Sequence, residues 1–186
     1  MKIIEFIKLR FIIKNYKSNK MNIFFLHLNP RICAQYHLDK HVVKMCLEHT
    51  QILCSVYLLT ESKYKPPYKL THKNHPCNVW ARTSLDNFKW LIEMSIELCK
   101  EYTYRYGKVH KCEQYILDMA KEENYPNIPS IGFTPPAQAM PDMYKGSDAV
   151  ESYRQYYFFD KNYILSWKKR SEPEWVDEIR KLFEKE

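Results

Sequence analysis

From residue 21 onward, apolar positions recur along the chain with different rhythms. Ile23-Phe24-Phe25-Leu26 is an unbroken apolar run, the pattern of at most one short buried strand. Asn29 and Pro30 then form a helix start, with Asn as the N-cap and Pro at the first helical position. The helical pattern continues to about Leu59, with a kink expected near residues 38–39. Val42, Cys46, His49, Leu53 and Val56 fall on its inner face at spacings of three and four. After the Pro66-Pro67 loop, Pro76 opens a second long helix. Its apolar face carries Val79, Trp80, Phe88, Leu91, Ser95, Leu98 and Tyr102, and Gly107 ends it. A third helix is predicted over residues 109–123, with Cys112, Ile116 and Met119 inward. A fourth runs from a Ser147 cap to about Tyr163, and the last follows the capping box Ser171-Glu172-Pro173-Glu174.

Residues 124–146 hold five prolines and cannot form a long helix. They also carry Ile131, Phe133, Ala137, Ala139, Met140 and Met143, which predicts a loop packed onto the domain. The expected architecture is all-α: a single compact helical domain with two long helices, a proline-rich packed loop and at most one short strand.

Composition narrows this further. A length of 186 residues with 45% apolar side chains suits one domain with a proper core. Three glycines are too few for a dinucleotide fingerprint, a phosphate-cradling loop or a β-sandwich. No cofactor is expected. Residues 1–20 read as an N-terminal extension and residues 21–186 as the helical domain. Glu5, Lys8 and Arg10 interrupt the apolar start, which argues against a secretion signal or a membrane span. The six cysteines contain no C-x-x-C pair and fall largely at core positions, so reduced, buried thiols are expected. The net charge of +7 suits a polyanionic partner, because each neutralised phosphate releases counterions.

The densest chemistry lies on the first long helix. His37, His41, Lys44, Glu48 and Gln51 are spaced four, three, four and three, which puts a base, a cation and a carboxylate along one face. His37 and His41 also have the i, i+4 spacing of a zinc helix, with Cys33 a turn earlier. His72, Lys73 and His75 precede the helix opened by Pro76, where a phosphate suits the free N–H groups. Arg82, Arg105, Lys108 and Lys168 add cations beside aromatic residues. Tyr153, Arg154, Tyr156, Tyr157, Phe158 and Phe159, followed by Lys161 and Tyr163, form a dense aromatic-basic stretch suited to stacking and backbone contact. His75, Arg82, Arg105, Lys108, Tyr153, Arg154 and Lys168 are therefore the expected nucleic-acid contacts. The loop around Gln138 suits a pocket wall, and Asp142 is a further carboxylate.

The run Ala34-Gln35-Tyr36-His37-Leu38-Asp39-Lys40-His41-Val42-Val43-Lys44-Met45, with Met21-Asn22-Ile23-Phe24 before it, resembles small proteins of phages and giant DNA viruses. The resemblance extends through His75-Pro76, Trp80-Ala81-Arg82, Arg105-Tyr106-Gly107-Lys108 and Gln138-Ala139-Met140-Pro141-Asp142, covering about residues 21–175. The layout is also similar to the phage pyrimidine-dimer DNA glycosylase/abasic-site lyase family. That resemblance implies an all-helical domain whose amino terminus attacks the sugar, assisted by a helix glutamate and a histidine. His37 matches the histidine. The glutamate expected two turns later falls on Lys44, and Glu48 lies one turn further.

The resemblance implies base excision on damaged or modified pyrimidines in double-stranded DNA, inside an infected host cell, in its cytoplasm or nucleus. His37, His41, Lys44 and Glu48 are then the catalytic set, with Lys44 or Lys40 an alternative amine if burial or a neighbouring cation lowers its pKa. A non-catalytic nucleic-acid-binding module, a metal-dependent hydrolase at His37 and His41, and a virus–host interaction protein remain open at this point.

Overall fold

The first long helix breaks where the kink is expected. In the computed structural model, which describes residues 21–60 and 62–184, α1 (Pro30–Tyr36) stops one residue before His37 and α2 (Asp39–Leu59) starts after Leu38. Asn29 caps α1 by accepting from the Arg31 and Ile32 N–H groups at 3.0 and 3.2 Å. The remaining helices are α3 (Pro76–Thr83), α4 (Leu85–Tyr106), α5 (Glu113–Met119), α6 (Ala149–Asp160) and α7 (Glu174–Glu184). Helix α4 packs against α1, α2, α3 and α5, while α6 packs against α7. The protein is an all-α, single-domain structure built on two long helices, α2 and α4. By length and composition α2 alone among the described helices could cross a membrane, but most of it is buried in the protein. The expected extension at residues 1–20 lies outside the described residues.

Two local expectations change. Pro76 to Tyr106 is not one helix, because Ser84 interrupts it with extended backbone and accepts from the Asp86 N–H at 3.2 Å. The break serves the proline-rich loop. Leu85 donates its N–H to the Pro129 carbonyl, Asp86 Oδ2 accepts from Ser130 and Gly132, and Asn87 holds Thr134 through both side-chain atoms. The loop therefore packs as predicted at Met140, but Ile131 and Phe133 stay exposed. The third helix is shorter than expected, with a 3-10 turn over Glu122–Asn124 after α5. The cap of α6 is Asp148 and not Ser147. Gly107 does end α4, at φ 68°, in the left-handed region that glycine enters without a Cβ clash.

Residues 21–26 form no strand, and none occurs among the described residues. All six are buried, and side chains take the place of a ladder. The Asn22 N–H goes to Glu48 Oε2, the Ile23 N–H to Asn22 Oδ1, the Phe24 carbonyl accepts from Cys33, and the Leu26 carbonyl accepts from Arg154. Phe25 sits 4.9 Å from the Trp80 ring and 4.8 Å from the Trp90 ring. Phe24 faces His41, Tyr153, Tyr156 and Tyr157. This extended plug joins α6 to the α2–α4 core. All six cysteines are free and buried, as expected.

Tyr157 ties α6 to the helix break. Its hydroxyl accepts from the Leu38 N–H at 3.2 Å and lies 2.7 Å from His41 Nδ1. Tyr157→Phe leaves both groups buried without that partner, so it lowers stability by about 1–3 kcal/mol in urea unfolding.

Candidate active site

The predicted face of α2 divides at the helix break. His37 turns inward and is fully buried, with Nδ1 donating to the Cys33 carbonyl at 2.8 Å and Nε2 without a partner among the described residues. Burial lowers its pKa to about 4; the Cys33 hydrogen bond opposes this and the Arg105 charge adds to it. His41 stacks on Phe24 at 4.6 Å and receives the Tyr157 hydroxyl. Burial, followed by the charges of His37, Lys161 and Lys44, holds it well below the usual histidine range. Burial thus favours the neutral imidazole at both positions. Only Lys44 of the four presents itself to solvent.

Glu48 is the chemical centre that survives. It is buried to 9% exposure, with Oε1 2.8 Å from Lys44 Nζ and Oε2 accepting from the Asn22 N–H at 3.1 Å. Asn22, which sequence reasoning did not single out, organises the surroundings. Its Nδ2 donates to the Ala139 carbonyl at 2.9 Å, and its Oδ1 lies 2.9 Å from the Tyr153 hydroxyl. Tyr153 also lies 2.8 Å from the Ala137 carbonyl and accepts from the Ala139 N–H. The loop expected to form a pocket wall is thus pinned beside Glu48. The available signal was a lone polar residue, Asn22, opening an apolar run.

The expected nucleic-acid contacts scatter. Arg105 is fully buried and cannot reach a phosphate here; it braces the helix break through Glu101, Asp39 and the carbonyls of His37 and Gln35. Tyr153 is fully buried too, and so cannot offer a face for base stacking. Arg154 donates to the Leu26 carbonyl and lies over the rings of Tyr36 and Trp175. Half-buried Arg82 donates to the Lys73 carbonyl and Asn78, and His75 caps α3 by accepting from the Cys77 N–H. Lys108 and Lys168 are exposed, with the Lys168 Nζ 5.5 Å from the centre of the Tyr106 ring. Asp142 is exposed and paired with Lys145.

Among the described residues, His37 and His41 do not join a three-ligand metal cluster. Among the described residues that grouping is Cys46, Cys99 and His110, whose ligand atoms lie within 4.8 Å of one another. Cys46 donates to the Val42 carbonyl, Cys99 donates to Cys46, and His110 Nδ1 accepts from the Cys112 N–H. A shallow groove of about 350 Å³ lined by Leu28, Asp86, Lys89, Trp90, Glu93 and Phe133 contains none of the predicted residues.

The fold and site define an all-helical protein with a buried carboxylate set between a lysine and a backbone nitrogen. No family model, curated protein or solved structure matches the chain.

Proposed function

We propose that this protein processes DNA by base excision, as a glycosylase and abasic-site lyase acting on damaged or modified pyrimidines in double-stranded DNA. The observation that carries the reading is Glu48: a largely buried carboxylate with Lys44 Nζ at 2.8 Å and the Asn22 nitrogen at 3.1 Å. Lyase chemistry needs an amine to form a Schiff base at C1′ and a carboxylate to move the C2′ proton. The net charge of +7 and the exposed Lys44, Lys108 and Lys168 suit a phosphate backbone. The target nucleotide must leave the stack for such chemistry, and unstacking is cheapest at a damaged base or an abasic site.

Borohydride trapping on a duplex with one abasic site tests this reading. Wild-type protein is expected to give a covalent adduct. Glu48→Gln still accepts the Asn22 N–H but cannot take a proton, and is expected to cut strand cleavage by about 10²-fold or more. No adduct from the wild type, with DNA binding intact, would instead favour the non-catalytic binding module.

A further inference from the structure

Two of the buried thiols meet across the packing of the long helices. Cys46 on α2 and Cys99 on α4 are both fully buried, and their Sγ atoms lie 3.8 Å apart. Two sulfurs each about 2.3 Å from a tetrahedral ion stand about 3.8 Å from one another, so the pair has the separation of two corners of such a site. A ring nitrogen of His110 completes the group, with all three ligand atoms within 4.8 Å of one another. His110 is half-buried in the connection between α4 and α5, and that connection is braced. Gly107 turns it in the left-handed region, and Thr103 Oγ1 donates to the Lys108 carbonyl at 3.2 Å. The Glu113 N–H donates to the His110 carbonyl at 3.0 Å, and the Tyr102 ring stands edge-on to the imidazole at 4.9 Å. The imidazole is held beside the sulfurs by a fixed turn.

A chance meeting of two core thiols accounts for the sulfurs alone. It leaves out the imidazole. It also leaves out Glu113 in the same turn, whose Oε2 is buried with no hydrogen-bond partner among the described residues. A buried carboxylate oxygen without a donor is best satisfied by a positive charge nearby.

We propose that Cys46, Cys99 and His110 form a zinc site that ties α2, α4 and the α4–α5 connection together. The assignment does not rest on the base-excision reading. Two sulfurs and an imidazole nitrogen in a tetrahedral arrangement select zinc over hard, oxygen-seeking cations such as magnesium or calcium. On binding, each thiol releases its proton to solvent and forms an Sγ–Zn bond. The two thiolates cancel the two charges of the ion, so the buried site carries no net charge, and no electron moves. Cys112 stays outside the group, with its Sγ 3.7 Å from the Tyr68 hydroxyl. Three protein ligands leave the fourth corner to water.

The test uses the full chain, reduced and stripped with chelator, then titrated with zinc and separately with cobalt(II). Wild type is expected to take up one ion per chain and to melt at a higher temperature in zinc. With cobalt it should show thiolate-to-metal charge transfer and the strong visible bands of a tetrahedral ion. Cys99→Ser and His110→Gln are each expected to weaken zinc binding by about 10²-fold or more. The histidine variant, at a half-buried turn position, covers the case in which Cys99→Ser fails to fold. Cys33→Ser removes a buried thiol outside the group and is expected to bind as the wild type does. No stoichiometric zinc in the wild type, or binding unchanged in both ligand variants, overturns the assignment. A Cys46–Cys99 disulfide in protein isolated without reductant overturns it as well.

Discussion

Arg105→Met lowers the unfolding free energy by about 3–5 kcal/mol, the usual cost of removing one partner from a buried ionic network. In a protein of this size that is a fall in melting temperature of roughly 6–20 °C. The reason is the number of groups that converge on one fully buried guanidinium. Its Nε donates to Glu101 at 3.0 Å, Nη1 to the His37 carbonyl at 2.8 Å and Asp39 at 3.0 Å, and Nη2 to the Gln35 carbonyl at 2.9 Å. The two carbonyls belong to the break between α1 and α2, where the helix leaves backbone acceptors unpaired. Asp39 is held on its other side by Ser166 and the Lys168 N–H, and Glu101 by Arg170. Arg105→Lys recovers only part of the loss, since an ammonium cannot match the planar fork. Thermal unfolding and DNA binding measured on the same variants separate bracing from phosphate contact. A phosphate contact would leave stability unchanged and reduce the salt dependence of binding.

Much of the helical frame is legible because its signals are local. Asn29-Pro30 starts α1, Gly107 ends α4, and the prolines of residues 124–146 keep the chain out of a helix. The Ser84 break is also a local signal, a serine cap followed by Asp86, but the apolar rhythm from Trp80 to Phe88 runs through it and hides it. What fixes that break is tertiary: Pro129, Ser130, Gly132 and Thr134 all bond to residues 85–87, and Ile131 donates its N–H to Ser84 Oγ. The Ile23-to-Leu26 run reads as a strand because apolar continuity signals burial without signalling what satisfies the backbone. Here Glu48, Asn22, Cys33 and Arg154 satisfy it, and no period in the sequence connects them.

The site was legible in part for the same reason. Lys44 and Glu48 sit four apart within one helix, so their ion pair follows from spacing. His37 was placed on the same face only by extending that helix across a break which Arg105, 68 residues away, holds in place. Asn22 reaches Glu48 from outside that helix, so no helical spacing connects the two.

Acidification from pH 6.5 to about 4 should remove most of the protein's stability, and the buried histidines are the reason. In the unfolded chain a histidine takes a proton near pH 6.5. In the folded protein burial lowers the His37 pKa to about 4 and the His49 pKa to about 3, with the His37 charge adding to the His49 shift. The Nε2 atoms of both are buried and have no partner among the described residues, so a proton added there would find no acceptor among them. Between those values the unfolded state binds more protons than the folded state, so stability falls as pH falls. It is complete above about pH 6.5 and lost progressively down to about 4, the reverse of a histidine stabilised by a carboxylate. Each of the two contributes on the order of 3 kcal/mol, and His41 shifts in the same direction. Their sum is comparable with the whole stability of a typical domain. Urea unfolding at pH 7.5, 6.0 and 5.0 reads the effect as a slope, which counts the protons taken up on unfolding. His37 and His49 should together supply about two protons in that window, and His49→Leu should reduce the slope by about one. Carboxylates, which titrate near pH 4, cannot mimic a loss that begins at pH 6.5. A flat stability profile between pH 7.5 and 5.0 would show that these imidazoles are open to water, and would dismantle the inward placement of His37 on which the divided site rests.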